Sequence, residues 1–188
     1  MARGSVRGIL THLFGSNERR QRTDRLLAAI TAEARRPVFY EAMGVPDTLD
    51  GRFDLMALFG SLAFRSLAKK GKDGITLAQD TTDLMFSAFD DAIRSLGVGD
   101  GGIPRRVKTM GKAYIGRAGV YDAAIRAGDA AALRDALQRN VYRGTPEPGA
   151  ADLAAHVMAE AAILDALPLE RFQAGDLGRR PVTGEVAA

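Results

Sequence analysis

The sequence predicts an all-α protein, a single-domain bundle of about six helices. Apolar residues recur at three-to-four spacing along most of the 188 residues, which is the period of an amphipathic helix. No stretch alternates apolar and polar residues as a half-buried strand does, and no internal repeat of about 20 to 50 residues is visible. We expect a basic N-terminal segment at 1–17, a helical domain at 18–173 and a disordered tail at 174–188, where periodicity gives way to glycine, proline and arginine.

The first helix is predicted over residues 18–36. Pro37 ends it, because proline has no N–H for the next helical hydrogen bond. The apolar stripe of this helix is formed by Leu26, Leu27, Ile30 and Ala34.

A second helix, from about 50 to 70, is predicted to be the buried centre of the bundle. Asp50 is placed to cap it and Gly71 to end it, since glycine tolerates left-handed dihedral angles. Its apolar side chains point almost all round and leave a narrow polar strip, expected to face solvent, formed by Asp54, Ser61, Arg65 and Lys69.

The third helix, predicted over 76–96, is expected to begin with a capping box made by Thr76 and Gln79. On its polar side, Asp90 and Arg94 have the i, i+4 spacing of an ion pair.

A fourth helix is predicted to begin at Pro104, because proline suits the first helical turn. It carries a basic stripe, defined as Arg105, Lys108 and Lys112. Glycines weaken a helix, so those of this segment indicate either close backbone packing or a break; they are Gly111, Gly116 and Gly119.

The last third of the chain predicts two more helices and a final turn. Asp129 is placed to cap the fifth helix, which runs through Val141, and a sixth helix follows at about 150–167. In that helix His156 is expected to pair with Glu160, one turn later. Pro168 begins the last turn.

The charge is uneven along the chain. Residues 1–36 hold eight arginines against three acidic residues, which indicates an anionic partner (ribosomal RNA, lipid or an acidic protein) or simply a solvated helix face. The apolar runs are far shorter than the roughly 20 residues that span a bilayer, and the N-terminus is too polar for a secretory signal. We therefore expect a cytoplasmic protein whose N-terminus either frays or makes a peripheral contact with an anionic membrane.

The residues for most catalytic chemistry are missing. The chain has no cysteine and two histidines, His12 and His156, so thiolate chemistry and a histidine-based metal site are not expected. No GxSxG nucleophile motif is present. We predict no cofactor, no metal and no enzymatic activity. The alternative is a helical enzyme that acts on a prenyl or lipid diphosphate through magnesium held by Asp80, Asp83, Asp90 and Asp91.

A glycine pattern formally matches the dinucleotide fingerprint GxGxxG, through Gly97, Gly99 and Gly102. That fingerprint needs a preceding strand, and here a helix precedes it, so a tight helix-to-helix connection is the better interpretation. The free N–H groups at the start of the fourth helix could still bind a phosphate or carboxylate.

Three motifs in order carry a family resemblance: YEAMGVPDTLDGRFD from Tyr40, DDAIRSLGVGDGGIPRRVKTM from Asp90, and GKAYIGRAGVYDAAI from Gly111, followed by RNVYRG around Tyr142. Together they resemble the ubiquinol-cytochrome c chaperone family over more than half of the chain. The first motif could also be explained by an Asx-type turn and a helix cap alone.

The resemblance implies a helical fold and a role in assembling the cytochrome bc1 complex. Mitochondrial members of this family associate with the ribosome near its tunnel exit and hold newly made cytochrome b. The family has no known catalytic residues, and no small-molecule substrate is expected. We therefore expect cytochrome b as client, the ribosome or its RNA as a partner of the basic stripe, and an apolar client groove near the loops 46–52 and 97–104. The residues expected to contact client or partner are Tyr40, Pro46, Asp47, Thr48, Arg52, Asp90, Arg94, Asp100, Pro104, Arg105, Lys108, Lys112 and Arg117, although many of them could simply fix the fold.

Overall fold

The computed structural model describes residues 5–95 and 103–182, and for residues 5–16, 93 and 103–108 it describes the backbone alone. Over these ranges the chain is helical and contains no strand, which confirms the predicted all-α bundle. Eight helices lie within the described ranges: α1 (Ser5–Ala34), α2 (Pro37–Glu41), α3 (Leu49–Leu67), α4 (Gly71–Ser95), α5 (Ile103–Ala127), α6 (Ala130–Asn140), α7 (Gly149–Ala166) and α8 (Leu169–Ala174).

Helix α3 is the centre of the bundle, as its apolar circumference predicts. It packs against α1, α4, α5 and α7, and Leu55, Leu58 and Leu67 are fully buried in those contacts. Burying a leucine side chain contributes about 1.5–3 kcal/mol, so α3 supplies a large part of the hydrophobic stabilisation.

The residue that caps α3 differs from the prediction. Thr48, not Asp50, is the N-cap: its hydroxyl accepts a hydrogen bond from the Gly51 N–H at 3.1 Å. Asp50 lies in the first turn, where a carboxylate interacts favourably with the helix dipole. Both residue types can cap a helix, and the extended backbone of Thr48 decided between them.

The polar strip of α3 does not face solvent as a whole, and that expectation is wrong. Asp54 and Ser61 are buried and Arg65 is largely covered; only Lys69 is substantially exposed. The strip faces α5 and α7, which carry Asp122 and Asp165 opposite Arg65 at 2.9 Å each. Because polar residues on the neighbouring helices face the strip, it forms a buried polar contact and does not face solvent.

Three helix boundaries in the first half also differ from the prediction. α1 begins at Ser5, ahead of the predicted start, and Pro37 both follows its end and opens the short helix α2, which the sequence analysis missed. α4 begins at Gly71, so Thr76 and Gln79 lie inside it and the predicted capping box is wrong. Gly71 has the expected left-handed φ of 75° and serves as the turn between α3 and α4.

Helix α5 runs without a break past its three glycines. A methyl group built on Gly116 or Gly119 would meet no atom within 4 Å, and one on Gly111 would meet only the ring of Phe86 at 4.0 Å. Neither expected explanation, a break or close packing within the chain, applies to this helix.

The second half follows the predicted order. Asp129 caps α6 by accepting a hydrogen bond from the Ala132 N–H at 2.8 Å, and Pro168 precedes α8. His156 differs: its Nε2 lies 3.4 Å from an oxygen of Glu33 in α1, and its ring packs between Phe39 and Phe59. The acidic neighbour comes from another helix, which spacing along α7 could not show.

The start of the predicted tail is packed against the bundle. α8 extends to Ala174, the carbonyl of Arg180 accepts a hydrogen bond from the buried Arg36 at 2.8 Å, and Val182 is buried. Residues 174–182 are therefore packed against the bundle, which differs from the expectation of a disordered tail. Single contacts can hold a segment that has no helical periodicity. Residues 183–188 lie outside the described part of the chain.

Candidate functional site

The loop between α2 and α3 is a compact turn fixed by its own backbone. The Thr48 N–H donates to the Pro46 carbonyl at 2.9 Å while the Thr48 hydroxyl caps the helix. A methyl group on Gly51 would lie 1.9 Å from the Pro46 oxygen, so only glycine fits there. The pattern Pro-Asp-Thr-x-x-Gly therefore specifies a turn that passes directly over the first turn of α3.

The outer side of this turn carries an exposed ion pair. The guanidinium of Arg52 donates to both carboxylate oxygens of Asp47, at 2.6 and 3.2 Å. These hydrogen bonds lower the pKa of Asp47. Both side chains are more than half exposed, so the pair fixes geometry and contributes little stability.

The inner side of the turn is fastened to two other parts of the fold. The hydroxyl of Tyr40 donates to the Ala34 carbonyl at the end of α1, at 2.7 Å. The hydroxyl of Tyr142 donates to the Met43 carbonyl at 2.9 Å, which ties the turn to the connection between α6 and α7. Gly149 faces the same Met43 backbone closely, since a methyl group there would lie 2.2 Å from the Met43 oxygen.

Below the turn lies a buried charge cluster centred on Asp54. Its carboxylate accepts hydrogen bonds from Arg117 of α5 and from Arg143 at 2.9 Å, and its side chain is 1% exposed. Arg143 adopts a left-handed φ of 57°, a strained conformation for an arginine. Burial raises the pKa of Asp54 to about 6, although both arginines act in the opposite direction. The cluster joins α3, α5 and the α6–α7 connection.

The remaining predicted contact residues fall into two groups. Asp90 and Arg94 form the expected ion pair at 2.8 Å, and Lys112 is exposed on α5. Asp100 lies outside the described residues, as do Gly97, Gly99 and Gly102 and the side chains of Pro104, Arg105 and Lys108. The structure thus brings Tyr40, Pro46, Asp47, Thr48 and Arg52 together at one loop, and places Arg117 beneath that loop through Asp54.

An apolar cleft of about 320 Å³ begins at this loop and runs between α1, α3 and α4. Two hydroxyls in its wall are already used within the helices, because Thr31 donates to the Leu27 carbonyl and Ser95 to the Ala92 carbonyl, at 2.7 Å each. The wall is therefore apolar in character and is lined by Leu27, Thr31, Arg35, Leu49, Arg52, Met56, Met85, Ala88, Phe89, Ala92 and Ser95.

A second apolar surface lies in the shallow groove between α5 and α6. Ile115 is 72% exposed and Val120 is 45% exposed, next to the bare backbone of Gly116 and Gly119. Large exposed aliphatic side chains grouped in this way are typical of an interaction surface.

The acidic residues of α4 do not form a metal site in the described part of the chain. The Asp80 carboxylate accepts two hydrogen bonds from Arg19 of α1, at 2.5 and 2.6 Å. The Asp90 carboxylate forms an ion pair with Arg94. Among the described residues there is no group of three or more histidine, cysteine, aspartate or glutamate side chains that could hold a metal ion.

Sequence reasoning missed the residues that shape the cleft and the cluster. The sequence predicts that Asp54 faces solvent, and its pattern does not distinguish Arg35 or Arg143. One signal was available for the cleft: Leu27, Thr31 and Arg35 have the i, i+4 spacing of one helix face. Which helices cover that face could not be read from the spacing.

Known proteins have a similar sequence and a similar architecture. The family model described as Ubiquinol-cytochrome C chaperone matches residues 41–180. A crystal structure of the Cbp3 homolog from Brucella abortus is similar over 93% of this chain and 98% of that one, with 34% identity and a TM-score of 0.83. No curated protein matches significantly. The matched range covers the turn, the Asp54 cluster and most of the apolar cleft.

Proposed function

The chain belongs to the ubiquinol-cytochrome c chaperone family, and on that basis we propose that it assists assembly of the bc1 complex by holding newly made cytochrome b. The observation that carries the proposal is the apolar cleft beside the turn at 46–52. Among the described residues no helix is long and apolar enough to cross a membrane.

The cleft suits the transient covering of an apolar segment. Newly made membrane segments expose apolar surface to water, and burying it yields about 25 cal/mol per Å². Met56 in the wall is partly exposed, and a methionine side chain is flexible and polarisable, which allows the surface to adapt to different side chains. The Asp54 cluster and the Thr48 turn fix the position of α3, which forms one wall of the cleft.

Filling the cleft tests this role. Ala92→Trp places a large ring in the space between α1 and α4, and we expect the amount of assembled bc1 complex in membranes to fall at least about fivefold in cells that depend on this variant. The matched control is Ala162→Trp, which adds the same ring to an exposed position of α7. Assembly is measured by cytochrome b absorbance and native gel. A folded Ala92→Trp protein that supports normal assembly would refute the role of the cleft.

Contact with the ribosome is a second part of the proposal. The basic stripe, Arg105, Lys108 and Lys112, lies on α5, the helix that follows the chain segment 96–102, and Lys112 is exposed. Lysine and arginine on one helix can bind RNA phosphates, and such binding weakens steeply with salt.

A peripheral membrane contact is the alternative partner for the basic N-terminus. The observation in its favour is that α1 is already helical from Ser5, through the segment that carries Arg7. A helix with basic residues and a short apolar stretch can lie in the surface of an anionic membrane.

One fractionation experiment addresses both contacts. Reversing Arg105, Lys108 and Lys112 to glutamate should abolish co-sedimentation with ribosomes, whereas deleting residues 1–17 should abolish flotation with anionic vesicles. Reversing Lys72, Arg134 and Arg171, which are exposed elsewhere, gives the same change in net charge as a control. Ribosome binding that persists in the stripe variant and is insensitive to salt would refute the basic-stripe contact.

A further inference from the structure

The apolar cleft has the shape of a trough. One wall runs from Leu27 of α1 to Arg35, the residue that follows α1, which at 1.5 Å per residue is about 12 Å, and α4 lines the trough from Met85 to Ser95, about 15 Å. These lengths correspond to between two and three turns of a helix. A trough of this length, walled by helices, fits the apolar face of one more helix.

The charged residues of the trough lie together at one end. Arg19 of α1 pairs with Asp80 of α4. Sixteen residues after Arg19 and fifteen after Asp80, Arg35 and Ser95 line the same trough. The two chain segments therefore run in parallel. The Tyr40 hydroxyl donates a hydrogen bond to the carbonyl of Ala34, the residue before Arg35, at 2.7 Å. Arg35 and Arg52 both line the trough, and Arg35 lies at the end that is next to Tyr40.

The two arginines differ in their partners. Arg52 is already paired with Asp47, which neutralises it locally. No acidic side chain of the described residues pairs with Arg35, and Arg35 is exposed at the mouth of the trough. An apolar trough with one uncompensated guanidinium at its end is complementary to an apolar segment that carries one negative charge.

Building on the proposed function, we infer that the occupant of the trough is an apolar helix with an aspartate or glutamate beside its apolar face, and that Arg35 receives this carboxylate. Arginine suits the task because its guanidinium can donate two parallel hydrogen bonds to a carboxylate. The apolar side chains of the segment supply affinity, and the carboxylate sets the register in which the segment lies.

Binding of a pair of synthetic peptides to the full purified chain tests the inference. The probe is a fluorescent leucine–alanine helix of about sixteen residues with one glutamate beside the leucine stripe, and its twin has glutamine there. We expect the glutamate peptide to bind about fivefold more tightly at low salt, as a partly exposed ion pair predicts, and the difference to shrink as salt is raised.

Arg35→Gln should abolish the difference between the two peptides without weakening the glutamine peptide. Arg25→Gln is the matched control: it removes the same charge from an exposed position on another face of α1, and the preference should remain. Ala92→Trp should weaken both peptides equally, because it occupies the apolar trough itself.

The outcomes separate this inference from the proposed function. Equal binding of the two peptides to the wild type, or a preference that survives Arg35→Gln, overturns the carboxylate inference and leaves the cleft as a client site. Binding of palmitate in an Arg35-dependent manner, with no binding of either peptide, overturns it in favour of a fatty-acid ligand. The proposed function fails separately, if Ala92→Trp leaves bc1 assembly intact.

Discussion

At the scale of single residues, the most consequential side chain is Asp54. A buried carboxylate costs several kcal/mol of hydration, and here hydrogen bonds from Arg117 and Arg143 offset that cost. Removing one partner would leave an under-compensated charge, so the three residues act as a unit. Arg117, a residue of the family motif, braces α3 against α5 from below the loop.

The titration of Asp54 gives a prediction with a definite sign. Its pKa is raised by burial from 3.8 to about 6, so between these values the native state holds a proton that the unfolded chain has lost. The stability of the wild type relative to Asp54→Asn should therefore increase as pH falls from about 6 to about 4, on the order of 2 kcal/mol. Urea unfolding of both proteins at several pH values measures this.

Asp165 provides the internal control because its shift has the opposite sign. Burial alone would raise its pKa, but hydrogen bonds from Lys69, Ser66 and Arg65 lower it. The wild type should therefore lose stability relative to Asp165→Asn as pH falls through the acidic range below about 4. If both carboxylates gave the same sign, the assignment of the Asp54 shift to burial would be incorrect.

At the scale of elements, the helix termini show how local signals compete. Thr48 and Asp50 are both good caps, and the turn at Pro46 selected Thr48 by placing the Gly51 N–H beside its hydroxyl. Thr76 with Gln79 is an equally good signal by itself, yet α4 had already begun at Gly71. Amphipathic periodicity predicts that a helix is present. The residue at which the helix begins depends on the contacts that fix the preceding loop.

Two glycines on different helices should respond in opposite ways to the same change. Gly51→Ala places a methyl group 1.9 Å from the Pro46 oxygen and should lower the free energy of unfolding by about 2 kcal/mol or more. Gly116→Ala meets no atom within 4 Å in an unbroken helix and should raise it by up to about 1 kcal/mol. Thermal and urea unfolding compare the two variants, and a loss of stability in the purified Gly116→Ala protein would contradict the open face seen on α5.

At the scale of the whole molecule, the C-terminal segment closes the bundle over α1. The guanidinium of Arg36 is buried between Glu33, at 2.6 Å, and the Arg180 carbonyl, at 2.8 Å, while Val182 and Phe172 join the core. Glu160 and His156 of α7 lie in the same region, so this buried cluster unites the two ends of the domain.

Truncation measures how much that closure contributes. Ending the chain after Gly175 removes the Arg180 carbonyl and Val182, which leaves Arg36 with one fewer acceptor, and should lower the free energy of unfolding by about 2–3 kcal/mol. Ending it after Val182 keeps these contacts and serves as the control. Equal unfolding midpoints for the two truncations would show that the segment packs without stabilising the domain.

The sequence by itself determined the helical class, the central place of α3, the cap at Asp129 and the family motifs, because each of these follows from spacing or residue type along one element. Tertiary structure alone decided that Asp54 is buried, that His156 meets Glu33, that Arg35 stands at the mouth of an apolar trough, and that residues 174–182 pack. Each of these depends on which side chain of a distant helix lies opposite, and the periodicity of one helix shows only which residues share a face, not what that face will touch.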